Sequence, residues 1–273
     1  MKILVPFDFS QESIYAAKFG EQLAKETECN LKVVHGLNTP NYPYYKSDNI
    51  KAFRKLLNAD ANVALTDKLR SILETLPEVE ISEGSSSSVI LKNNASDDVR
   101  YTIMGYKKQH LPYKIGSTTR DILRFTIGSV FSVKRPVELK SIKNILLVTD
   151  FQSTPIASIA NVKFIQELNK ANLNLLYVNS KDNWLTTKET YLKMEEFCKI
   201  HSLKNASLDV INDDTLESGV LNKVSRSKVD LIAMKITRGN EKLKASETHL
   251  SAEIIIDNTD IPVLTFAHRS IYL

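Results

Sequence analysis

"KILVPFDFSQESIYAAKFGEQLAK", Lys2 to Lys25, decides the fold, because "KNILLVTDFQSTPIASIANVKFIQELNK", Lys143 to Lys170, repeats its plan. Each is a short apolar run ending in Asp-Phe, then a Ser/Thr/Gln-rich turn, then an Ala-rich amphipathic segment. A strand that is apolar throughout needs cover on both faces, and an amphipathic helix directly after it supplies that cover. The repetition continues outward: "LKVVHGLN" matches "LNLLYVNS", "RYTIMG" matches "VDLIAMK", and "GSVFSVK" matches "DIPVLTF". A period this long indicates two copies of one domain rather than a solenoid of short units.

Within each copy strands alternate with helical patterns. Strands are expected near Ile3–Pro6, Leu31–His35, Val79–Ser82, Val99–Met104 and Ser129–Val133, and again near Ile145–Thr149, Leu173–Val178, Leu208–Ile211, Leu231–Met234 and Val263–Phe266. The longest helical pattern runs from Ile50 through Phe53, Leu57, Leu65 and Leu69 to Leu76. Alternation with right-handed crossovers predicts an α/β fold of two tandem doubly wound domains, each a five-stranded parallel sheet flanked by helices. The join falls in "KRPVELKSI", where Pro136 stops a helix, which assigns 1–138 to the first domain and 139–273 to the second. So short a link predicts an intramolecular pseudo-dimer, and leaves open whether two chains associate further.

Apolar residues at 42% and charged residues at 25% describe an ordinary globular protein. Lys and Arg outnumber Asp and Glu by 19 to 16 as far as Glu138 and by 17 to 16 beyond it, without the basic stripe of a nucleic-acid binder. The densest runs, "YKKQH" and "VKRP", read as solvated loops. Cys29 and Cys198 lie too far apart to suggest a disulfide scaffold, which fits a cytoplasmic setting. Pro6 and Asp8 interrupt the N-terminal apolar run, and no stretch approaches the roughly 18 apolar residues of a membrane span. Only 8 glycines occur, so each one at a strand end needs a reason.

In open parallel sheets ligands collect beyond the C-terminal strand ends, where the winding reverses. Asp8 stands at such an end; its carboxylate can accept a hydrogen bond from an adenine amino group or a ribose hydroxyl, or it can simply form the turn while Ser10 caps the helix. Gly105 ends the fourth strand, and "GSTT", Gly116 to Thr119, opens the next helix. Small residues and free amides there suit anionic oxygens. The alternative is a plain helix start, with Ser or Thr as cap and Asp121 in the first turn. "SEGSSSSVILKNN", Ser82 to Asn94, reads as a strand end followed by a helix that a serine caps. His249 with Glu253, and Cys198 with His201, share helical faces, but no three or four ligands assemble by spacing, so no metal is expected. There is no G-x-S-x-G, no Walker lysine and no second aspartate two residues after Asp8 or Asp150. An enzyme is therefore not expected, slow ATP hydrolysis being the one activity left open.

The Asp-Phe-Ser after the first strand, the His and small residue ending the second, Met104-Gly105 and Gly116-Ser117 together resemble the universal stress protein family. The resemblance covers nearly the whole chain as a tandem two-domain form. It implies Rossmann-like, adenine nucleotide alpha hydrolase-like domains that pair through their last strands and, in one subclass, bind ATP. That subclass carries Gly, two residues, Gly, nine residues, then Gly-Ser/Thr. Here Gly105 is the first glycine, Lys108 stands at the second, and Gly116-Ser117 follows after a loop two residues shorter, with Thr118 and Thr119 continuing the turn. Asp8 matches the adenosine-contacting aspartate, preceded by Pro6 and Phe7; Met104 precedes Gly105, and Gly36 falls where an apolar residue often faces adenine. Lys107, Lys108 and Lys114 would supply charge to phosphates. In the second half Asp150 and Val178 match, but Lys235 replaces the first glycine and His249-Leu250 the Gly-Ser pair. The resemblance thus implies a cytoplasmic stress-response regulator with ATP or AMP in its first domain and a degenerate second domain without nucleotide. The alternative is a scaffold of the same fold, without nucleotide, acting through protein partners.

Overall fold

A computed structural model describes residues 1–38, 48–107, 116–126, 128–151, 156–181, 183–236 and 245–267; for 48–54, 157–158, 245–250 and 267 it describes the backbone alone. In the first half, β1 (Lys2–Pro6), α1 (Gln11–Thr27), β2 (Asn30–Leu37), α2 (Asp48–Ile72), β3 (Glu78–Glu83), α3 (Ser86–Asn94), β4 (Val99–Gly105), α4 (Ser117–Phe125) and β5 (Ser129–Val133) follow one another. A single 3-10 turn, Leu139–Ser141, joins them to β6 (Asn144–Val148), α5 (Ile156–Asn169), β7 (Asn172–Asn179), α6 (Thr187–Ile200), β8 (Ala206–Asn212), α7 (Leu216–Arg226), β9 (Leu231–Ile236), α8 (Ala245–Asn258) and β10 (Val263–Ala267). Every strand expected from the sequence is present, each end within two residues. The long second helix stops at Ile72 rather than Leu76. Glu21 of α1 accepts the amides of Glu74 and Thr75 at 2.8 and 2.9 Å and draws the chain out of the helix, and Pro77 disfavours helical backbone before it.

The strands form one sheet in the order β3-β2-β1-β4-β5-β10-β9-β6-β7-β8. Each half is parallel and winds outward in both directions from the pair β1/β4 or β6/β9. The two halves meet where β5 and β10 pair antiparallel, Phe131 opposite Leu264. The two five-stranded parallel halves, paired through their last strands, thus form one ten-stranded sheet. Ile3, Leu4 and Val5 are all fully buried, as a strand covered on both faces requires. Each such side chain contributes roughly 1.5–3 kcal/mol of burial. On one face a single apolar cluster runs through both halves, from Phe19 and Tyr101 past Phe131 to Leu264 and Ile159. The join is pinned as well: the Leu139 amide donates to Gln22 Oε1 of α1 at 2.8 Å, and its carbonyl accepts from Asn169 Nδ2 of α5 at 2.9 Å.

Local chemistry explains the helix starts. Ser10, Ser85, Thr186 and Thr215 each accept the amide three residues on, satisfying one of the donors that a helix N-terminus leaves open. Ser85 is thus the serine cap expected within Ser82 to Asn94. The start of α4 differs from the expectation of a Ser or Thr cap. Gly116 is the capping residue, no capping side chain among the described residues bonds the first-turn amides, and Ser117 already lies inside the helix.

Candidate functional site

In each half the winding reverses between two adjacent parallel strands, β1/β4 and β6/β9, and the C-terminal ends of such a pair are where ligands bind in open parallel sheets. In the first half the chain leaves β1 along β2. The Phe7 amide donates to the Val34 carbonyl at 2.9 Å, and the Phe7 carbonyl accepts from His35 Nδ1 at 2.7 Å, which places the imidazole proton on Nδ1. Asp8 comes next, exposed, and Phe9 adopts a left-handed φ of 64° that bulky residues rarely take. Phe9 is 41% exposed and sets its ring edge-on to His35 at 5.5 Å. The Asp8 carboxylate accepts both the amide and the hydroxyl of Ser10. Partial withdrawal from water pushes this carboxyl up, but the hydrogen bonds from Ser10 and Ser13 outweigh that and hold it below the usual aspartate range.

Gly105 ends β4 beside this turn. A Cβ there would lie 2.3 Å from the Glu12 carbonyl carbon and 2.5 Å from the Ser13 amide nitrogen, so the strand and the first turn of α1 approach as closely as they do only because the side chain is missing. Gly36 is similar, its Cβ direction leading to the Ser86 backbone at 3.0 Å. Met104 and Phe7 are core residues, while Pro6 is half-buried at the strand end. At the start of α4, Ser117 is exposed, Thr118 half-buried and Thr119 buried. Lys107 is exposed; Lys108 and Lys114 lie outside the described residues. Thus Pro6, Phe7, Asp8, Met104 and Gly105 gather at the β1/β4 end, and Gly36 borders it from β2.

The second half repeats the turn with different side chains around it. Phe151 takes a φ of 52°, but its ring is buried against Phe197 at 5.3 Å and Tyr177 at 6.2 Å. Lys235, at the position of Gly105, is 11% exposed and reaches the Asp150 carboxylate with Nζ at 3.0 Å. Asp150 holds the position of Asp8. The lysine that replaces the first glycine thus forms an ion pair with an aspartate far from it in sequence. A basic side chain in place of glycine opposite an aspartate was the available signal. Val178 stands where Gly36 does, and there the glycine moves to the helix: a Cβ on Gly219 of α7 would meet Val178 Cγ1 at 2.5 Å. Backbone and strand cross with one side chain omitted in both halves, on opposite partners. His249 and Leu250 have no described side chains. Among the described residues no three His, Cys, Asp or Glu side chains converge, and no helix is long and apolar enough to cross a membrane.

Residues 1–134 match the sequence model of the Universal stress protein family. Through this half the chain belongs to the universal stress protein family. The whole chain is similar in fold to a universal stress protein from Archaeoglobus fulgidus, with a TM-score of 0.74 at 17% identity over 97% of this chain and 98% of that one. A putative universal stress protein from Pseudomonas aeruginosa gives a TM-score of 0.64 at 14% identity, over 97% and 92% of the two chains. The cytoplasmic domain of a prokaryotic cation chloride cotransporter gives 0.50 at 9% identity, over 97% and 94%. No curated protein matches significantly in sequence. The universal stress protein domain thus stands in the first half, and its fold is repeated in the second.

Proposed function

We propose that this universal stress protein binds an adenine nucleotide, ATP or AMP, at the β1/β4 end of its first half only, and acts as a cytoplasmic stress-response regulator. The observation carrying this reading is the contrast at equivalent positions. Asp8 is exposed opposite a glycine, whereas Asp150 is paired with Lys235. The first turn of α4 supports it, since among the described residues no capping side chain bonds its amides, which suits anionic oxygens. Asp8 would accept from a ribose hydroxyl or an adenine amino group. The reading is binding without turnover: a carboxylate held below its usual range is a poor general base.

A second reading also has an observation in its favour. Gly105 and Gly36 are both required by backbone packing, and Asp8 is engaged with Ser10, so these residues have structural reasons without a ligand. On that reading the fold is a scaffold for protein partners. Titrating the folded protein with ATP and with AMP separates the two. The first reading expects one site per chain and at least a tenfold loss with Asp8→Ala; no binding at millimolar nucleotide leaves the scaffold.

A further inference from the structure

The seam between the halves divides charge by sign. From the first half come Arg120 and Arg124 of α4, with Lys134 and Arg135 following β5; from the second come Glu253 and Asp257 of α8, with Asp260 following it. Glu253 is 6% exposed and meets Arg120 Nε and Arg124 Nε, each at 3.7 Å. Its Oε1 accepts no hydrogen bond; burial pushes its carboxyl above the usual glutamate range, and the charges of Arg124 and Arg120 offset only part of that. Tyr106 donates its hydroxyl to Asp257 at 2.8 Å, Lys134 Nζ donates to the Asp257 carbonyl at 2.8 Å, and Arg135 pairs with Asp260.

Gly105 pairs with Val133 and Lys235 with Phe266, so equating Gly105 with Lys235 carries Phe131 onto Leu264, one residue from the match of the two sequence runs, and these two pair with each other across the seam at the pseudo-two-fold. The offset that carries Phe131 onto Leu264 also carries Arg120 onto Glu253 and Arg124 onto Asp257. Symmetry-related positions on the two helices therefore hold opposite charges. If a first half met another first half by the same edge, Arg120 and Arg124 would face their own copies with the facing carboxylates gone. If two second halves met, Glu253 would face Glu253 in a buried setting. Juxtaposed like charges are destabilising in a desolvated interface, and discrimination between partners is set by that difference.

We propose that the sign division across α4 and α8 specifies the pairing: the β5 edge of a first half accepts the β10 edge of a second half and rejects another first half, so the tandem chain satisfies its own seam. Thr119 and Ala252, at equivalent positions on the two helices, are both buried.

Charge reversal in the full chain tests this. Glu253→Arg alone and Arg120→Glu with Arg124→Glu alone each place like charges at the seam. Each is expected to lower the thermal midpoint by about 6–10 °C and to separate the unfolding of the halves into two steps. Combining all three substitutions restores opposite signs with the halves exchanged, and recovers at least half of the lost midpoint and a single transition. A combined variant no more stable than the worse parent overturns the proposal. Should Glu253→Arg fail to fold alone, Glu253→Gln and Arg124→Gln keep the test open: the pair together should cost less than the sum of the two, and strict additivity also overturns it.

Discussion

The ends of β1/β4 and β6/β9 are the same structure used in two ways. Both carry Asp-Phe with the phenylalanine in a left-handed turn, Phe9 and Phe151. In the first half the aspartate is exposed and the neighbouring strand ends in a glycine; in the second a lysine replaces the glycine and pairs with the aspartate, while the phenylalanine sinks against Phe197 and Tyr177. At the end of the fourth strand, a glycine in the first half leaves Asp8 to its Ser10 bonds, and a lysine in the second pairs with Asp150 instead. The strained turn is kept in both, so it belongs to the fold; only the side chains around it differ.

The largest effect is expected where that residue is glycine. Gly105→Ala places a methyl group against the α1 backbone, and α1 must shift or the strand must bend. A loss of about 2–3 kcal/mol in urea denaturation is expected. A loss under about 0.5 kcal/mol would mean that α1 is not held as closely as the distances state, and the packing reason for the glycine would go. The converse change, Lys235→Ala, breaks the pair with Asp150. A cost of about 1–2 kcal/mol is expected, because the lysine is largely buried while Asp150 keeps contact with water. If stability is unchanged, the ion pair is not what closes the second half.

The smallest effect concerns acid. Asp8 has a folded-state pKa below its unfolded value, so its contribution is present above the unfolded pKa and is lost as pH falls through the folded one. Asp8→Asn should therefore flatten the loss of stability below about pH 4, by less than about 1 kcal/mol since the group is exposed. Denaturation at several pH values reads this directly, and an unchanged acid limb would show that the Ser10 bonds do not matter to the turn.

Much of the fold was legible because the sequence repeats it. Two matching Asp-Phe turns and uniformly apolar strands implied parallel sheets with helices on both faces, and the caps at Ser10 and Ser85 follow from residue type and position. That Asp8 follows the end of β1 and Gly105 ends β4 was legible in the same way. The packing role of Gly105 was not, because its contact partner is backbone of α1 and leaves no mark in residue type. Nor was the cap of α4, where three hydroxyl residues all lie inside the helix and the glycine before them takes the capping place. The seam charges were visible in "GSTTRDILRF" and "HLSAEIIIDN" only after the strand pairing had fixed which positions are symmetry mates.

The account stands most directly on which half takes a ligand. Crystals grown with ATP should show nucleotide beside Asp8 and the α4 N-terminus, with Lys235 still on Asp150. Nucleotide beside Asp150, or none at either aspartate at saturating concentration, would contradict it.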